Sequence, residues 1–379
     1  MGKKILFISH SNFIGGAELC FIETLKALQS KGYVVYAVFP AHEGKLKSVC
    51  EPLCEAAYTQ FLPLWIENEN KLSFKTKFNR LLNIIASVRK SVRLIKSINP
   101  DIIITNTSVI PEFGVAAKFT KTKHVWFIHE LVDKGLDSYF VFGKSFSKKI
   151  ISYCSDIVIV NSKFIESHYF SFVKKENLKL LYQPAEMDFA NDNIVEKSDK
   201  ILTLLIIGKV SKFKGQKQAV LACKELNKSN IDFKLLIVGA QCSSYVEELN
   251  SLISDDLTDK IEFIPFTSEP SVYYQLSDIV LVCSKCEALG RVTIEAMKMG
   301  LPVIASNQGG NLELIQDGVN GYLYELGNPI DLANKIVLLQ DANKRNEMGE
   351  KGRKIANDTF NMTSYEEELD KILIKLCSE

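Results

Sequence analysis

The hydrophobic residues of this chain fall into short runs that are separated by amphipathic segments. The runs are rich in β-branched and aromatic residues, as in KILFISH, VVYAVFP and DIIITNT, and they predict buried strands. Between the first two lies an amphipathic segment, GGAELCFIETLKALQSKG, which predicts a helix that ends at Gly32. Strands that alternate with helices in this way predict a parallel sheet with both faces covered.

The pattern stops at residues 184–200 and then resumes. This segment is polar and lacks periodicity, which is typical of a linker. After it come strand-like runs, among them LTLLIIGK, FKLLIVGA, DIVLVCS and PVIAS, and a helix from about Gln216. We predict two Rossmann-like, doubly wound α/β domains, residues 1–183 and 201–361, whose strand ends face an interdomain cleft. A last amphipathic helix, 362–379, is expected to pack back on the first domain.

The composition is that of an ordinary globular protein and limits the partners. Of the 379 residues 46% are hydrophobic, and the net charge of +1 gives no reason to expect a nucleic-acid partner. The nine cysteines are odd in number and irregularly spaced, which is typical of reduced thiols in a reducing compartment. No run of eighteen apolar residues occurs, and the first run is too short for a signal peptide. We therefore expect a cytoplasmic location.

Two glycines, Gly15 and Gly16, stand immediately before the first predicted helix. They would let the backbone approach a ligand closely, and the N–H groups at a helix start favour an anion. The alternative is a tight turn without a ligand. Because the turn lacks the GxGxxG spacing of dinucleotide-binding folds, a dehydrogenase is the least favoured class.

Lysines follow the first strand of the second domain, in IIGKVSKFKGQ. Lys209 lies at the strand end, and Lys214 precedes Gly215 and a helix. At the carboxyl end of a strand, two such cations would suit a diphosphate. The alternative is a solvated basic loop, since Lys212 lies between them.

Two glutamates, Glu287 and Glu295, lie in CEALGRVTIEAMKMG, where a helix is predicted from near Gly290 to Met299. Eight helical residues span about 12 Å, so the two carboxylates cannot act on one atom as a glycosidase pair does. They could instead hold two parts of one long ligand, with the helix N-terminus accepting an anion between them. The alternative is a helix-terminal charge and a surface residue, although the apolar neighbours of Glu295 argue against exposure.

The ordered set of motifs resembles the retaining GT-B glycosyltransferases of family four. The set consists of GGAE, GKVSKFKG, the two glutamates, EAMKMGLPVIAS and GGNLELIQDGVNGYLY, and it extends over nearly the whole chain. The resemblance implies two Rossmann-like domains, of which the N-terminal one binds the acceptor and the C-terminal one binds a nucleotide-sugar.

The resemblance also implies residue roles in the second domain. Glu287 would hold the hydroxyls of the donor sugar, and Glu295 would hold the ribose. Lys214 would pair with the diphosphate, assisted by Lys209, which stands where the family more often has arginine. The chain departs from the family at EALG, where EGFG is more usual. The donor-binding residues of this loop would be Ala288, Leu289, Gly290 and Arg291. Because the loop differs from that of the family, the resemblance does not indicate which sugar the donor carries.

In the first domain the resemblance assigns roles to a glycine and a histidine. Gly16 would place a backbone N–H near the β-phosphate, with Gly15 beside it. His129, in WFIHE, matches the histidine that reaches the donor sugar near the transferred carbon. Without the family, His129 would be interpreted as a buried histidine at a strand end. In the second domain Glu313, in QGGNLE, is expected to be structural or peripheral.

The expected reaction moves a hexose-type sugar from a UDP-sugar or a GDP-sugar to a glycan or a lipid-linked glycan. Retention without an evident protein nucleophile indicates front-face substitution, in which Lys209, Lys214 and helix N–H groups stabilise charge on the leaving diphosphate. The site motifs contain no DxD-like pair of carboxylates, so we expect no metal and no other cofactor. Bacterial polysaccharide, lipopolysaccharide or glycolipid synthesis is the expected pathway.

A basic amphipathic segment covers residues 71–96 and has eight basic and no acidic residues. Apolar residues recur in it at intervals of three or four. They are Phe74, Phe78, Leu81, Ile85, Val88, Val92 and Ile95. Such a helix could lie on an anionic membrane surface, which would make the protein peripheral. The alternative is a helix packed on the sheet with a solvated basic face.

Two other functions share the predicted fold. A nucleotide-sugar epimerase would need its own acid and base residues, and no matching motif set is present. A non-catalytic nucleotide-sugar-binding subunit of a glycosylation complex would keep the fold without turnover. The released product distinguishes these functions from transfer.

Overall fold

The computed structural model describes residues 2–68, 72–132, 138–187, 201–240 and 243–378. The chain divides into two compact units. The first comprises Met1–Pro184 together with Asn361–Glu379, and the second comprises Ala185–Phe360. Most of the predicted linker, from residue 188 onward, lies outside the described residues.

The first unit is built on a parallel sheet. Its strands are β1 (Lys4–Ile8), β2 (Val34–Pro40), β3 (Ala56–Gln60), β4 (Ile66–Glu67), β5 (Ile102–Thr105), β6 (Lys123–Ile128), β7 (Tyr139–Phe140), β8 (Ile157–Val160) and β9 (Leu178–Leu180). Its helices up to the linker are α1 (Gly16–Ser30), α2 (Leu46–Cys50), α3 (Phe74–Ile98), α4 (Glu112–Thr120), α5 (Lys144–Cys154) and α6 (Lys163–Tyr169).

Seven of these strands form the sheet in the order β3-β2-β1-β5-β6-β8-β9. All neighbours in it are parallel, while β4 and β7 form a separate antiparallel pair. The order reverses between β1 and β5, where Ile8 lies opposite Thr105. In doubly wound sheets ligands bind beyond the carboxyl ends of the strands at such a reversal.

The second unit repeats this architecture with six parallel strands. Its strands are β10 (Leu202–Ile207), β11 (Phe233–Ala240), β12 (Ile261–Pro265), β13 (Ile279–Val282), β14 (Val303–Ser306) and β15 (Gly321–Tyr324). Its helices are α7 (Gln216–Lys228), α8 (Ser244–Asn250), α9 (Pro270–Leu276), α10 (Arg291–Lys298), α11 (Asn311–Leu314), α12 (Pro329–Val337) and α13 (Ala342–Thr359). The strand order is β12-β11-β10-β13-β14-β15, with the reversal between β10 and β13. The predicted fold class of two doubly wound parallel α/β domains is therefore confirmed.

The last helix, α14 (Met362–Ser378), belongs to the first unit. Its apolar side joins the core that contains the stacked rings of Phe7 and Phe21, whose centroids are 3.9 Å apart. The hydroxyls of Tyr365 and Thr24 share a buried hydrogen bond of 2.6 Å. The chain thus returns to the first sheet and covers one of its faces.

The predicted basic helix forms as α3, but its apolar residues do not share one environment. In the second half Val88 and Ile95 are buried, as the packed-helix interpretation requires. In the first half Phe74 is 84% exposed, and Phe78, Leu81 and Ile85 are also exposed. A solvated basic face alone therefore does not describe this helix. Within the part of the chain that the structure describes, no helix is both long and apolar enough to cross a membrane.

One buried carboxyl group of the first unit is unusual. Glu112, in the first turn of α4, is 0% exposed, and neither of its side-chain oxygens bonds another described residue. Burial disfavours the charged form and raises the pKa of Glu112 from 4.5 to about 8. Between pH 4.5 and about 8 the carboxyl group of Glu112 therefore keeps its proton in the folded state, whereas it has lost this proton in the unfolded state. Across this window the group lowers the stability of the unit by roughly 1.4 kcal/mol per pH unit.

We predict that Glu112→Gln stabilises the first unit at about pH 8.5 and that its advantage falls by about 4 kcal/mol toward about pH 5. The neutral amide keeps the shape of the side chain and cannot ionise. Urea unfolding followed by tryptophan fluorescence checks this, because both tryptophans of the chain, Trp65 and Trp126, are buried in this unit. Glu176→Gln, at an exposed position of the same unit, is the control. A gain in stability from Glu112→Gln that does not change with pH would contradict the raised pKa of Glu112.

Candidate functional site

The predicted lysines of the second unit lie in the loop between β10 and α7. Gly208 and Gly215 adopt positive φ angles of 125° and 73°, which only glycine takes easily, and so allow the loop to turn at both ends. The buried side chain of Gln216 donates from Nε2 to the carbonyl oxygen of Lys209 at 3.2 Å. The Lys209 side chain itself is exposed. The loop backbone is therefore fixed while Lys209 reaches solvent.

Lys214 and Glu287 are brought together by the fold. The Nζ atom of Lys214 donates to Oε1 of Glu287 at 2.6 Å, across 73 residues of sequence. Ser284 donates its hydroxyl to the same carboxylate oxygen. The side chains of Lys214 and Glu287 are 31% and 16% exposed, so the ion pair is partly shielded from water but accessible to a ligand. The structure thus places two of the predicted catalytic residues in direct contact at the β10–β13 reversal.

The loop that carries Glu287 rests on a pair of glycines after β14. The N–H of Gly310 donates to the carbonyl oxygen of Glu287 at 2.8 Å. A Cβ atom on Gly310 would come within 2.5 Å of the carbonyl oxygen of Leu289, and one on Gly309 would come within 2.5 Å of that of Glu287. Only glycine therefore permits this contact. The sequence draws attention to Glu313 in this stretch, whereas its two glycines support the Glu287 loop.

Glu295 is 9% exposed, so the alternative that it is a surface residue is wrong. The helix predicted around it forms as α10 and begins after Gly290, whose φ angle is 111°. Tyr274 donates its hydroxyl to Oε2 of Glu295 at 2.8 Å, and Arg291 donates Nε–H to Oε1 at 2.9 Å. In the same loop the side chain of Leu289 is buried. Both oxygens of the Glu295 carboxylate are thus fixed by donors.

In the first unit, His129 lies directly after β6 and is 7% exposed. Its Nε2 atom shares a hydrogen bond of 2.6 Å with Oδ1 of Asn106, which follows β5. Because an amide oxygen accepts, the ring nitrogen is the donor. Burial lowers the pKa of His129 to about 4, and the nearby Glu130 carboxylate opposes this only in part. His129 is therefore a neutral imidazole near pH 7.

Glu130 ties the ends of β5 and β6 together. Its Oε1 atom accepts from the hydroxyl of Thr107 at 2.6 Å and from the hydroxyl of Ser108 at 2.9 Å, and the Ser108 N–H donates to the same atom. These contacts fix the segment that holds Asn106 against His129. Asn106 and Glu130 are not among the site residues predicted from the sequence, although the polar run NTS directly after a buried strand was a usable signal.

The predicted glycine turn of the first unit is formed at the start of α1. A Cβ atom on Gly16 would meet nothing within 4 Å, so the backbone there is open to close approach. Glu18 lies in the first helical turn, and its Oε2 atom would be 3.1 Å from a Cβ on Gly15. The Oε1 atom of Glu18 is 3.9 Å from Nε2 of His10. An anion at this helix end would therefore share the turn with a carboxylate.

We predict that Gly310→Ala loosens the Glu287 loop. The added methyl group must displace the backbone of Leu289, and such overpacking costs about 1–3 kcal/mol. Hydrogen–deuterium exchange should be faster in the peptide that covers residues 284–296. Gly352→Ala, on α13, is the matched control, because a Cβ atom there meets only side-chain atoms of Met297 and Asn320 at 3.4 Å or more. Equal exchange in the two variants would show that the glycine contact does not hold the loop.

Comparison with known proteins assigns the class. Residues 14–188 match the model of Glycosyltransferase Family 4, and residues 188–355 match the model of Glycosyl transferases group 1. These two matches correspond to the two Rossmann-like units with their reversals at β1–β5 and β10–β13. The chain belongs to the group 1 glycosyltransferases of the GT-B type.

Curated relatives include glycosyltransferases of bacteria. An uncharacterized glycosyltransferase of Haemophilus influenzae is 27% identical over 94% of this chain and 96% of that protein. The capsular polysaccharide biosynthesis glycosyltransferase CapM of Staphylococcus aureus is 24% identical over 77% of this chain and 81% of that protein. Spore coat protein SA of Bacillus subtilis is 34% identical, but the match covers 44% of this chain and about half, 47%, of that protein.

Solved structures share the fold across both units. HepE of Anabaena, in complex with UDP and glucose, matches with a TM-score of 0.77 at 20% identity and covers 98% of this chain and 100% of that chain. A glycosyltransferase from Rickettsia africae matches with a TM-score of 0.79 at 22% identity, covering 99% of this chain and 98% of that chain. At these identities the likeness supports the fold alone.

Proposed function

We propose that this protein is a retaining glycosyltransferase that moves a hexose-type sugar from a UDP-sugar or GDP-sugar to a glycan or lipid-linked glycan. The observation that carries the proposal is the Lys214–Glu287 ion pair, fixed by Ser284 at the β10–β13 reversal. A cation next to a carboxylate, immediately before the N-terminus of α10, matches a ligand that carries a sugar on a diphosphate. HepE, whose solved complex contains UDP and glucose, supports UDP as the first nucleoside diphosphate to test.

The two residues of the ion pair would exchange partners when the donor binds. Lys214 would turn to the diphosphate, and Glu287 would accept from the sugar hydroxyls. Before the donor binds, each charge neutralises the other, so neither is left unpaired in a partly buried position. Glu295 would accept from the ribose hydroxyls, and the loop from Ala288 to Arg291 would line the sugar.

The chemistry we propose is a front-face substitution. The bond from the anomeric carbon to the leaving phosphate oxygen breaks while the acceptor oxygen attacks from the same face, and the leaving diphosphate takes the acceptor proton. Lys214, the exposed Lys209 and the first N–H groups of α10 would stabilise the negative charge that grows on the diphosphate. These groups would stabilise the leaving diphosphate in place of a metal ion, so we expect activity without a metal.

In the first unit, which we propose to bind the acceptor, His129 would act without a charge. Its pKa of about 4 keeps it neutral, so it would contribute a hydrogen bond rather than a positive charge near the transferred carbon. Asn106 and Glu130 would keep the ring in place. CapM, a relative named for capsular polysaccharide biosynthesis, supports a bacterial cell-surface polysaccharide or glycolipid as the product, made in the cytoplasm.

The proposal predicts that UDP or GDP raises the thermal unfolding temperature of the protein, with or without EDTA. At one hundred times the Kd the ligand stabilises the folded state by about 2.7 kcal/mol. Lys214→Met should weaken binding about 10-fold to 100-fold, because it removes a charge-assisted contact to the diphosphate. Lys212→Met is the control, since Lys212 lies in the same loop but pairs with Glu248.

Product analysis with the matching nucleotide-sugars completes this test. Release of the nucleoside diphosphate means transfer, an altered nucleotide-sugar means epimerisation, and binding without turnover means a non-catalytic subunit. Loss of binding in EDTA with rescue by Mg²⁺ would overturn metal independence. The absence of a shift with every nucleoside diphosphate would overturn the proposed function itself.

We also propose that the first half of α3 contacts an anionic membrane, where a lipid-linked acceptor would lie. Five large apolar side chains are exposed there, on Phe74, Phe78, Leu81, Leu82 and Ile85. The helix has no acidic residue, and its lysines and arginines suit anionic headgroups. Burial of the apolar side chains would add to the electrostatic attraction.

The membrane proposal predicts that the protein co-sediments with vesicles of phosphatidylcholine and about 30% phosphatidylglycerol at low salt, but less with phosphatidylcholine alone. A double variant, Phe74→Asp and Phe78→Asp, should lose most of this binding, because it removes apolar area and adds negative charge. Phe170→Asp is the control, since Phe170 is 62% exposed after a different helix of the same unit. Equal sedimentation of the double variant and the wild type, or no binding to the anionic vesicles, would reject the contact.

A further inference from the structure

Tyr274 is a completely buried tyrosine whose hydroxyl reaches one of the candidate donor-binding residues. It lies on α9, a seven-residue helix that leads into β13, and it is 0% exposed. Its hydroxyl donates to Oε2 of Glu295 at 2.8 Å. No motif of the sequence analysis included it, because it lies 21 residues before Glu295.

The direction of this hydrogen bond is fixed by chemistry. An ionised carboxylate only accepts, so the tyrosine must be the donor. Burial, reinforced by the charge of Glu295, holds the pKa of the Tyr274 hydroxyl well above its ordinary value. The hydroxyl therefore stays protonated near neutral pH.

Arg291 holds the other carboxylate oxygen of Glu295. Its Nε–H donates to Oε1 at 2.9 Å from one turn earlier on α10. Because each oxygen accepts from a donor, rotation of the carboxylate about its last bond would break a hydrogen bond. The Glu295 side chain is nevertheless 11% exposed, so a carboxylate that two donors orient still reaches the surface.

We propose that Tyr274 is a positioning residue that orients the Glu295 carboxylate toward the ribose hydroxyls of the nucleotide. The proposal rests on the donor site inferred above. A group that must accept hydrogen bonds from a ligand binds best when it is already oriented, because no side-chain freedom is then lost on binding. Tyr274 acts through Glu295, so its effect depends on the ribose hydroxyls of the ligand.

The experiment compares two ligands, UDP and 2′,3′-dideoxy-UDP, by isothermal titration, with GDP and its dideoxy form in parallel. Tyr274→Phe removes only the hydroxyl. We expect it to weaken binding of the ribose-containing nucleotide about 5-fold to 10-fold and that of the dideoxy nucleotide less than about 2-fold. In a Glu295→Gln background the further loss should be smaller, because the two residues act as one unit.

Tyr273→Phe is the matched control, since Tyr273 is the neighbouring tyrosine of the same helix and is only half-buried. It should leave both affinities unchanged.

Three outcomes would overturn the inference. An equal loss for both ligands in Tyr274→Phe means that the tyrosine only supports the fold, and no loss means that Glu295 needs no such support. In both cases the wild type still binds the nucleotide, and the proposed function stands. If the wild type binds neither nucleoside diphosphate, the donor site and this inference fail together.

Discussion

The ion pair between Lys214 and Glu287 is the contact on which the interpretation of the second unit depends. A carboxylate and an ammonium group at the end of a parallel sheet are costly to shield from water unless each satisfies the other. Here the hydroxyl of Ser284 adds a second donor to the same carboxylate oxygen. Glu295 repeats the arrangement with a different pair, because Arg291 and Tyr274 donate to its two oxygens. Each glutamate therefore accepts from a cationic side chain and from a hydroxyl, and these donors orient its carboxylate.

The two units place different polar groups at the ends of their sheets. In the second unit the polar groups are charged and paired, which suits a ligand with a diphosphate. In the first unit His129 is neutral and its ring donates to Asn106 from the neighbouring strand, while Glu130 fixes the segment after β5 by accepting from Thr107 and Ser108. This division agrees with the roles that we propose for the two units.

The strand pattern was predictable where strands are buried on both faces. VVYAVFP and FKLLIVGA became β2 and β11 with the predicted limits, because continuous apolar runs between turn residues have few other solutions. The edge strands β3 and β9 were missed. The residues of β3 are mostly half-exposed, and β9 has only three residues, so neither shows a clear hydrophobic period. The same limit applies to α3, since helical spacing does not reveal which apolar residues find a partner.

The sequence by itself determined the two doubly wound units, the glycines at their turns and the residue types available for chemistry. These follow from local propensity, hydrophobic period and backbone freedom. Only the tertiary structure decided which donor meets which carboxylate. Lys214 reaches Glu287 across 73 residues because β10 and β13 are neighbours in the sheet, and Tyr274 reaches Glu295 from a different helix. Strand order and helix packing fix such pairs, and no local pattern in the sequence contains that information.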